Sequence, residues 1–270
     1  MTTAFRLIAL ATLLASGTAA ASPPDDLALV DAAIKSGRLV QAQTMIDLLP
    51  ADQAALPDVA VLRAQLLLAQ GQYDEAEQAF GKLSATVGGD CRVVAGLGTA
   101  AAELHHADRA IPLLQDAVAR CAPDWRSWSE LGRAYTSARR WDDSKAAYDR
   151  ALGLDGPRAS LLNDMAVSLL MQRRYPEAKA LLLQALATAP GDARIINNVD
   201  IAAASSGEAP VRARGDDAAR WAERLSNAGY AALLAGRADD ARAWLSQSAA
   251  AAPVYSARTA AILSSLEPRK

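Results

Sequence analysis

The chain has 270 residues, about half of them apolar, and 28 basic against 30 acidic side chains give a formal net charge of −2. That balance excludes a nucleic-acid binder built on a basic face. Aromatic residues make up only 5%, so a thick core of large rings is excluded too. Alanine supplies most of the apolar content and is the strongest helix former, which favours an all-α fold.

Residues 1–21 read as an export signal: Arg6 as the positive start, Leu7–Ala15 as the apolar run, and Ser16–Ala21 as small residues suited to cleavage after Ala20 or Ala21. The apolar stretch is shorter than the ~20 residues a membrane-spanning helix requires. No later segment is long and apolar enough to span, and no cysteine follows the run to carry a lipid anchor. The expected location is therefore periplasmic or secreted, with no integral span after cleavage.

From Pro23 onward a 34-residue period restarts at Pro57, Cys91, Trp125, Ala159 and Ala193, with a seventh unit at Ala222 after a shortened step. The same small residue returns at the twentieth place of nearly every unit: Ala42, Ala76, Ala110, Ser144, Ala178 and Ala241. Glycine returns five places earlier (Gly37, Gly71, Gly207, Gly236), and a bulky apolar residue four places later (Ile46, Phe80, Leu114, Tyr148, Leu182, Leu245). A period of this length means stacked units, and stacked units usually hold other molecules rather than transform them.

Each unit reads as helix, tight turn, helix, short loop. A weak unit occupies 22–56 and a regular array 57–205. In the unit beginning at Cys91, the start of the first helix lies near the end of the second, which makes Cys91 and Cys121 neighbours. An oxidising compartment favours a disulfide between them; the alternative is two half-buried free thiols. At Ala193 the pattern departs: Arg212 stands where a small residue is due, and Pro210 and Gly215 interrupt the second helix. Residues 206–221 are expected to hold an irregular loop and the start of a long helix from about Asp216, with Asp216 as its N-cap. Residues 222–266 hold the last unit and a lone capping helix from Tyr255 to Leu266.

No catalytic constellation, cofactor site or metal site is predicted. His105 and His106 are adjacent in a turn and diverge. The glycines of Gly96-Leu97-Gly98 lie inside a predicted helix rather than after a strand, so they are no dinucleotide fingerprint. Asp142-Asp143 and Asp239-Asp240 open second helices, where acidic residues complement the helix dipole.

Trp128, Leu131, Gly132 and Tyr135, followed by Tyr148 and Ala151, resemble the tetratricopeptide repeat (TPR), whose first helix reads Trp-x-x-Leu-Gly-x-x-Tyr and whose second reads Ala-x-x-x-Phe-x-x-Ala. Leu225, Gly229, Ala241, Leu245 and Pro253 repeat the match. The resemblance implies a right-handed α-solenoid of helix-turn-helix repeats with a C-terminal capping helix, in which Gly132 and Ala151 lie where helices touch backbone to backbone. It also implies an inner surface lined by places 2, 5, 9, 12 and 13 of each repeat. In the central repeats these are Arg92, Arg126, Ser129, Arg133, Asn163, Arg194 and Asn197. Further on they are Val167, Leu170, Met171, Ile201, Tyr230, Leu233 and Leu234. A groove basic in its middle and apolar beyond suits a peptide with an acidic end and an apolar anchor. On this reading Arg126, Arg133, Asn163 and Asn197 are not needed for folding.

Two runs, Ala193–Gly207 and Arg220–Arg237, are similar to the TPR component of tight-adherence (Flp) pilus assembly systems. That similarity spans about 125–266 and implies an exported, non-enzymatic scaffold with protein or peptide partners in the envelope. The alternative is a TPR partner of an envelope enzyme acting on polysaccharide or peptidoglycan.

Overall fold

The computed structural model describes residues 23–254 and 256–266; the expected leader lies outside them. Two compact units divide between Gly71 and Gln72, inside the turn of a repeat.

The first unit contains α1 (Pro23–Lys35), α2 (Leu39–Asp47), a short α3 (Ala51–Ala54) and α4 (Pro57–Ala69). Val30 and Ala33 of α1, Ala42 and Ile46 of α2, and Val59, Leu62 and Leu66 of α4 form its core. The single turn α3 fills the connection that the period alone leaves as loop.

The second unit is an α-solenoid of helix pairs. It opens with α5 (Tyr73–Val87), followed by the pairs α6 (Cys91–Glu103) with α7 (Ala107–Arg120), α8 (Trp125–Ser137) with α9 (Trp141–Asp155), and α10 (Ala159–Met171) with α11 (Tyr175–Thr188). Next come α12 (Ala193–Ser206), the pair α13 (Ala218–Leu234) with α14 (Ala238–Ala251), and the lone α15 (Ala257–Ser265). First helices begin at the residues where the period restarts, except α13, which starts ahead of Ala222.

The periodic positions explain the packing. In this unit Ala76, Ala110, Ser144, Ala178 and Ala241 are all fully buried, as are Phe80, Leu114, Leu182 and Leu245. In three first helices, α6, α8 and α13, a glycine makes room for the bulky residue of the second helix that follows. A Cβ on Gly132 would stand 2.6 Å from the Tyr148 ring, one on Gly98 2.8 Å from Leu114, and one on Gly229 2.6 Å from Leu245. The expected backbone-to-backbone contact at Gly132 is thus corrected to backbone against an aromatic ring.

The fifteenth place of each repeat is left-handed, with positive φ at Gly37, Gly71, His105, Arg139, Arg173, Gly207 and Gly236. The geometry closes the first helix in the same way each time: Arg139 N–H donates to Thr136 O and Arg140 N–H to Tyr135 O, while Arg173 and Arg174 do so to Leu170 and Leu169. Side chains with a Cβ pay roughly 1–2 kcal/mol for that conformation. Arg139→Gly is therefore expected to raise stability by about 0.5–1 kcal/mol after the added freedom of the unfolded chain is subtracted. Urea unfolding checks this.

The irregular region lies where the period fails. Gly207 ends α12, and residues 207–217 return the chain without a second helix. Asp217, not Asp216, caps α13, its side chain accepting from Arg220 N–H. Asp216 instead accepts from Ala213 N–H at 2.8 Å and pairs with Arg224, which also makes a two-pronged contact to Asp200 at 2.6 and 2.9 Å. Burial opposes ionisation of Asp216, but the Ala213 N–H and Arg224 outweigh it and hold its carboxyl below the usual range.

Candidate functional site: the face of the first helices

Helices α6, α8, α10 and α12 touch one another in succession, and α13 continues the row beside α12. A polar ladder runs along the row, joining the fifth place of one repeat to the sixth of the next. Ser129 Oγ donates to Asp164 Oδ2 at 3.4 Å, Asn198 Nδ2 to Asn163 Oδ1 at 2.8 Å, and Asn227 Nδ2 to Asn197 Oδ1 at 2.8 Å. Its last rung is Ser226 with Thr259 at 3.2 Å, which seats α15 on the end of the stack. The ladder passes the missing second helix without a break.

Asn163 and Asn197 are therefore half-buried rungs rather than free ligand hooks, and Ser129 is buried. Arg126, Arg194 and Arg92 stand exposed near the helix starts. Arg126 lies over the Trp125 ring at 4.7 Å, Arg194 pairs with Asp192 at 3.2 Å, and Arg92 pairs with Asp90.

Arg133 is not a lone cation. Its guanidinium donates to Glu103 at 2.6 Å and to Glu130 at 3.1 Å, with Asp164 beside them. The expectation of a basic centre is corrected: three carboxylates surround one arginine. The expectation that Arg133→Ala spares the fold is corrected as well, because that change leaves Glu103 and Glu130 half-buried without their partner. Glu103 occupies an inward place that the sequence reading omits. Glu130 and Asp164 share the sixth place with Asn198 and Asn227, a recurring polar column that is the available signal.

Burial is the largest influence on Glu130, whose side chain is 23% exposed; with Asp164 and Glu103 it outweighs Arg133 and raises the carboxyl to about 7. A raised carboxylate binds its proton more tightly folded than unfolded. Its contribution is fully present below about pH 4.5 and is lost as pH rises to about 7. Glu130→Gln is expected to match the parent near pH 4 and exceed it by about 2 kcal/mol near pH 8. Thermal melts across that range read the difference directly.

Apolar pockets continue the face. One of about 310 Å³ is lined by Leu170, Ile201, Tyr230 and Leu234, with Asn197 and Asn227 at its side. Tyr230 is 39% exposed and packs under Arg258 at 4.9 Å. Another, of about 390 Å³, is lined by Glu103, His105, Arg133, Tyr148, Asp164, Val167 and Met171.

A family model of the tetratricopeptide repeat matches residues 95–156 and, overlapping them, 129–193. Residues 95–193 form a TPR array. A thermophilic TPR protein of Thermus thermophilus shares 20% identity and a TM-score of 0.57, over 67% of this chain and 98% of its own. A TPR protein from Parabacteroides merdae shares 11% identity and a TM-score of 0.53, over 91% and 98%. The APC/C hetero-tetramer Cut9–Hcn1 gives 14% identity and a TM-score of 0.63, with 88% of this chain covering 48% of that one. These likenesses establish the fold. Among curated proteins nothing matches.

In TPR terms, the cysteines lie at opposite ends of one repeat and are joined: Cys91 and Cys121 form a disulfide with Cα atoms 5.8 Å apart. The histidines sit in the turn between α6 and α7, exposed, with His106 3.9 Å from Glu77. No described helix is long and apolar enough to cross a membrane, and no three described His, Cys, Asp or Glu side chains converge to hold a metal.

Proposed function

We propose that this protein is a non-enzymatic TPR scaffold, exported to the periplasm, whose inner face holds an extended segment of a protein partner in the envelope. The observation that carries the reading is the unbroken inner row. The ladder fixes the helices internally, while Met171 (48% exposed), Tyr230 (39%) and Leu234 (61%) stay open to solvent along it. Apolar side chains offered beside a pre-fixed polar surface suit a peptide anchored at intervals. The leader-like start and the Cys91–Cys121 disulfide both suit an oxidising compartment. The similarity of residues 125–266 to the tight-adherence pilus component makes pilus or secretion assembly the preferred setting.

The test is site-specific photocrosslinking in the native host. A crosslinker at Tyr230 or Met171 should trap a defined envelope protein, and one at Lys145 on a second helix should not. Crosslinks from Lys145 alone would refute an inner-face site. Recovery of an intact amino terminus from the cytoplasmic fraction would refute export.

A further inference from the structure

The 390 Å³ pocket between α6, α8 and α10 holds two groups that the fold leaves unsatisfied. Asp164 is half-buried, has no ion-pair partner among the described residues, and receives only long hydrogen bonds, 3.4 Å from Ser129 and 3.5 Å from Asn163. Tyr148 reaches the same pocket from α9; it is 2% exposed, and its hydroxyl, beside the Thr136 side chain, makes no hydrogen bond of ordinary geometry. That hydroxyl lies in the field of Asp164, Arg133 and Glu130. A half-buried carboxylate with no direct ion pair and a buried hydroxyl without a well-made hydrogen bond are each costly. Beside them, Val167 and Met171 form an apolar wall. The junction is also loosely built: α9 and α10 pack less extensively than any other consecutive pair from α5 to α14. The Tyr148 ring stands between them with Met165 and Trp128 against its cluster.

We propose that this pocket receives a lysine side chain of the protein partner, its ammonium meeting Asp164 and the Tyr148 hydroxyl and its methylenes lying along Val167 and Met171. The inference rests on the reading of the inner face as a partner-binding surface. The charges that face the site are Glu103 from α6, His105 from the turn, Arg126, Glu130 and Arg133 from α8, Asp164 from α10, and Arg194 from α12. Arg133 is already engaged by Glu103 and Glu130, which leaves Asp164 for the incoming cation. Burial raises both Asp164 and Glu130, so acidification protonates them and removes the attraction.

The probe is N-acetyl-lysine methylamide, with N-acetyl-norleucine methylamide as the neutral control, titrated while the methyl resonances of Met171 and Val167 are followed. Saturable shifts are expected with the lysine probe in the millimolar range and not with norleucine. Affinity should fall about tenfold between roughly pH 8 and pH 5. Asp164→Asn removes a half-buried charge at constant shape, so it should fold and bind at least ~10-fold more weakly. Tyr148→Phe keeps the ring against Gly132 and should weaken binding by about 2–5-fold, which keeps the proposal testable should the first variant misfold. Equal shifts with both probes, or lysine binding indifferent to pH and to either substitution, overturn the proposal. That outcome leaves the inner-face reading standing, because crosslinking from Tyr230 reads it separately.

Discussion

Replacing Arg224 with methionine is expected to cost about 3–5 kcal/mol of folding stability. The side chains of Arg224, Asp200 and Asp216 are 11%, 7% and 5% exposed, the most secluded ion cluster among the described residues. Arg224 joins three elements: α13, which carries it, α12 through Asp200, and the return loop through Asp216. Methionine keeps most of the length and apolar bulk but strands two carboxylates in a site with little water. With Arg224 gone, the pull that holds the Asp216 carboxyl low is weakened, so the variant should lose less stability than the parent as pH falls toward 4. Urea denaturation near pH 7 and near pH 4 measures both effects. A cost under about 1 kcal/mol would mean that the loop is held by its backbone and not by this cluster.

Opening the disulfide is expected to cost about 3–4 kcal/mol, since Cys91 and Cys121 close a 30-residue loop that the unfolded chain otherwise explores freely. Cys91→Ser with Cys121→Ser should lower the denaturation midpoint accordingly and leave the helical signal of the folded state intact, because α6 and α7 also share the contacts of Ala101, Ala110 and Leu114. The oxidised parent and the double variant, melted in parallel without reductant, give the comparison. Two alkylatable thiols in the native, unreduced protein would remove its basis.

What is readable in the sequence is whatever repeats. The helix starts at Cys91, Trp125, Ala159 and Ala193, and the small–bulky pairs such as Gly132 with Tyr148, recur because each helix pair solves the same packing problem. What escapes is whatever joins different places of different repeats. The contact of Arg133 with Glu103 spans two repeats and two columns, so no single column announces it. Arg224 with Asp200 and Asp216 belongs to the region where the period fails, and a rule learned from regular repeats has nothing to say there. The expected cap falls one residue early because Asp216 and Asp217 are adjacent and equally fit to cap; the Ala213 N–H and Arg224 draw Asp216 away. The inward arginines read as free charges because a sequence shows a residue's place but not the carboxylate opposite it.

The sparse junction between α9 and α10 carries a mechanical meaning. A stack of helix pairs behaves as a spring, and the bending of any spring concentrates at its most compliant turn. Tyr148 packs against Leu161 there, and the Ser144 and Ser168 hydroxyls meet across the junction at 3.5 Å. Under tension or thermal agitation, the segments on either side should move as stiff bodies about this joint. A force probe pulling on the array would register its first yielding between Asp155 and Ala159, well before any helix unwinds.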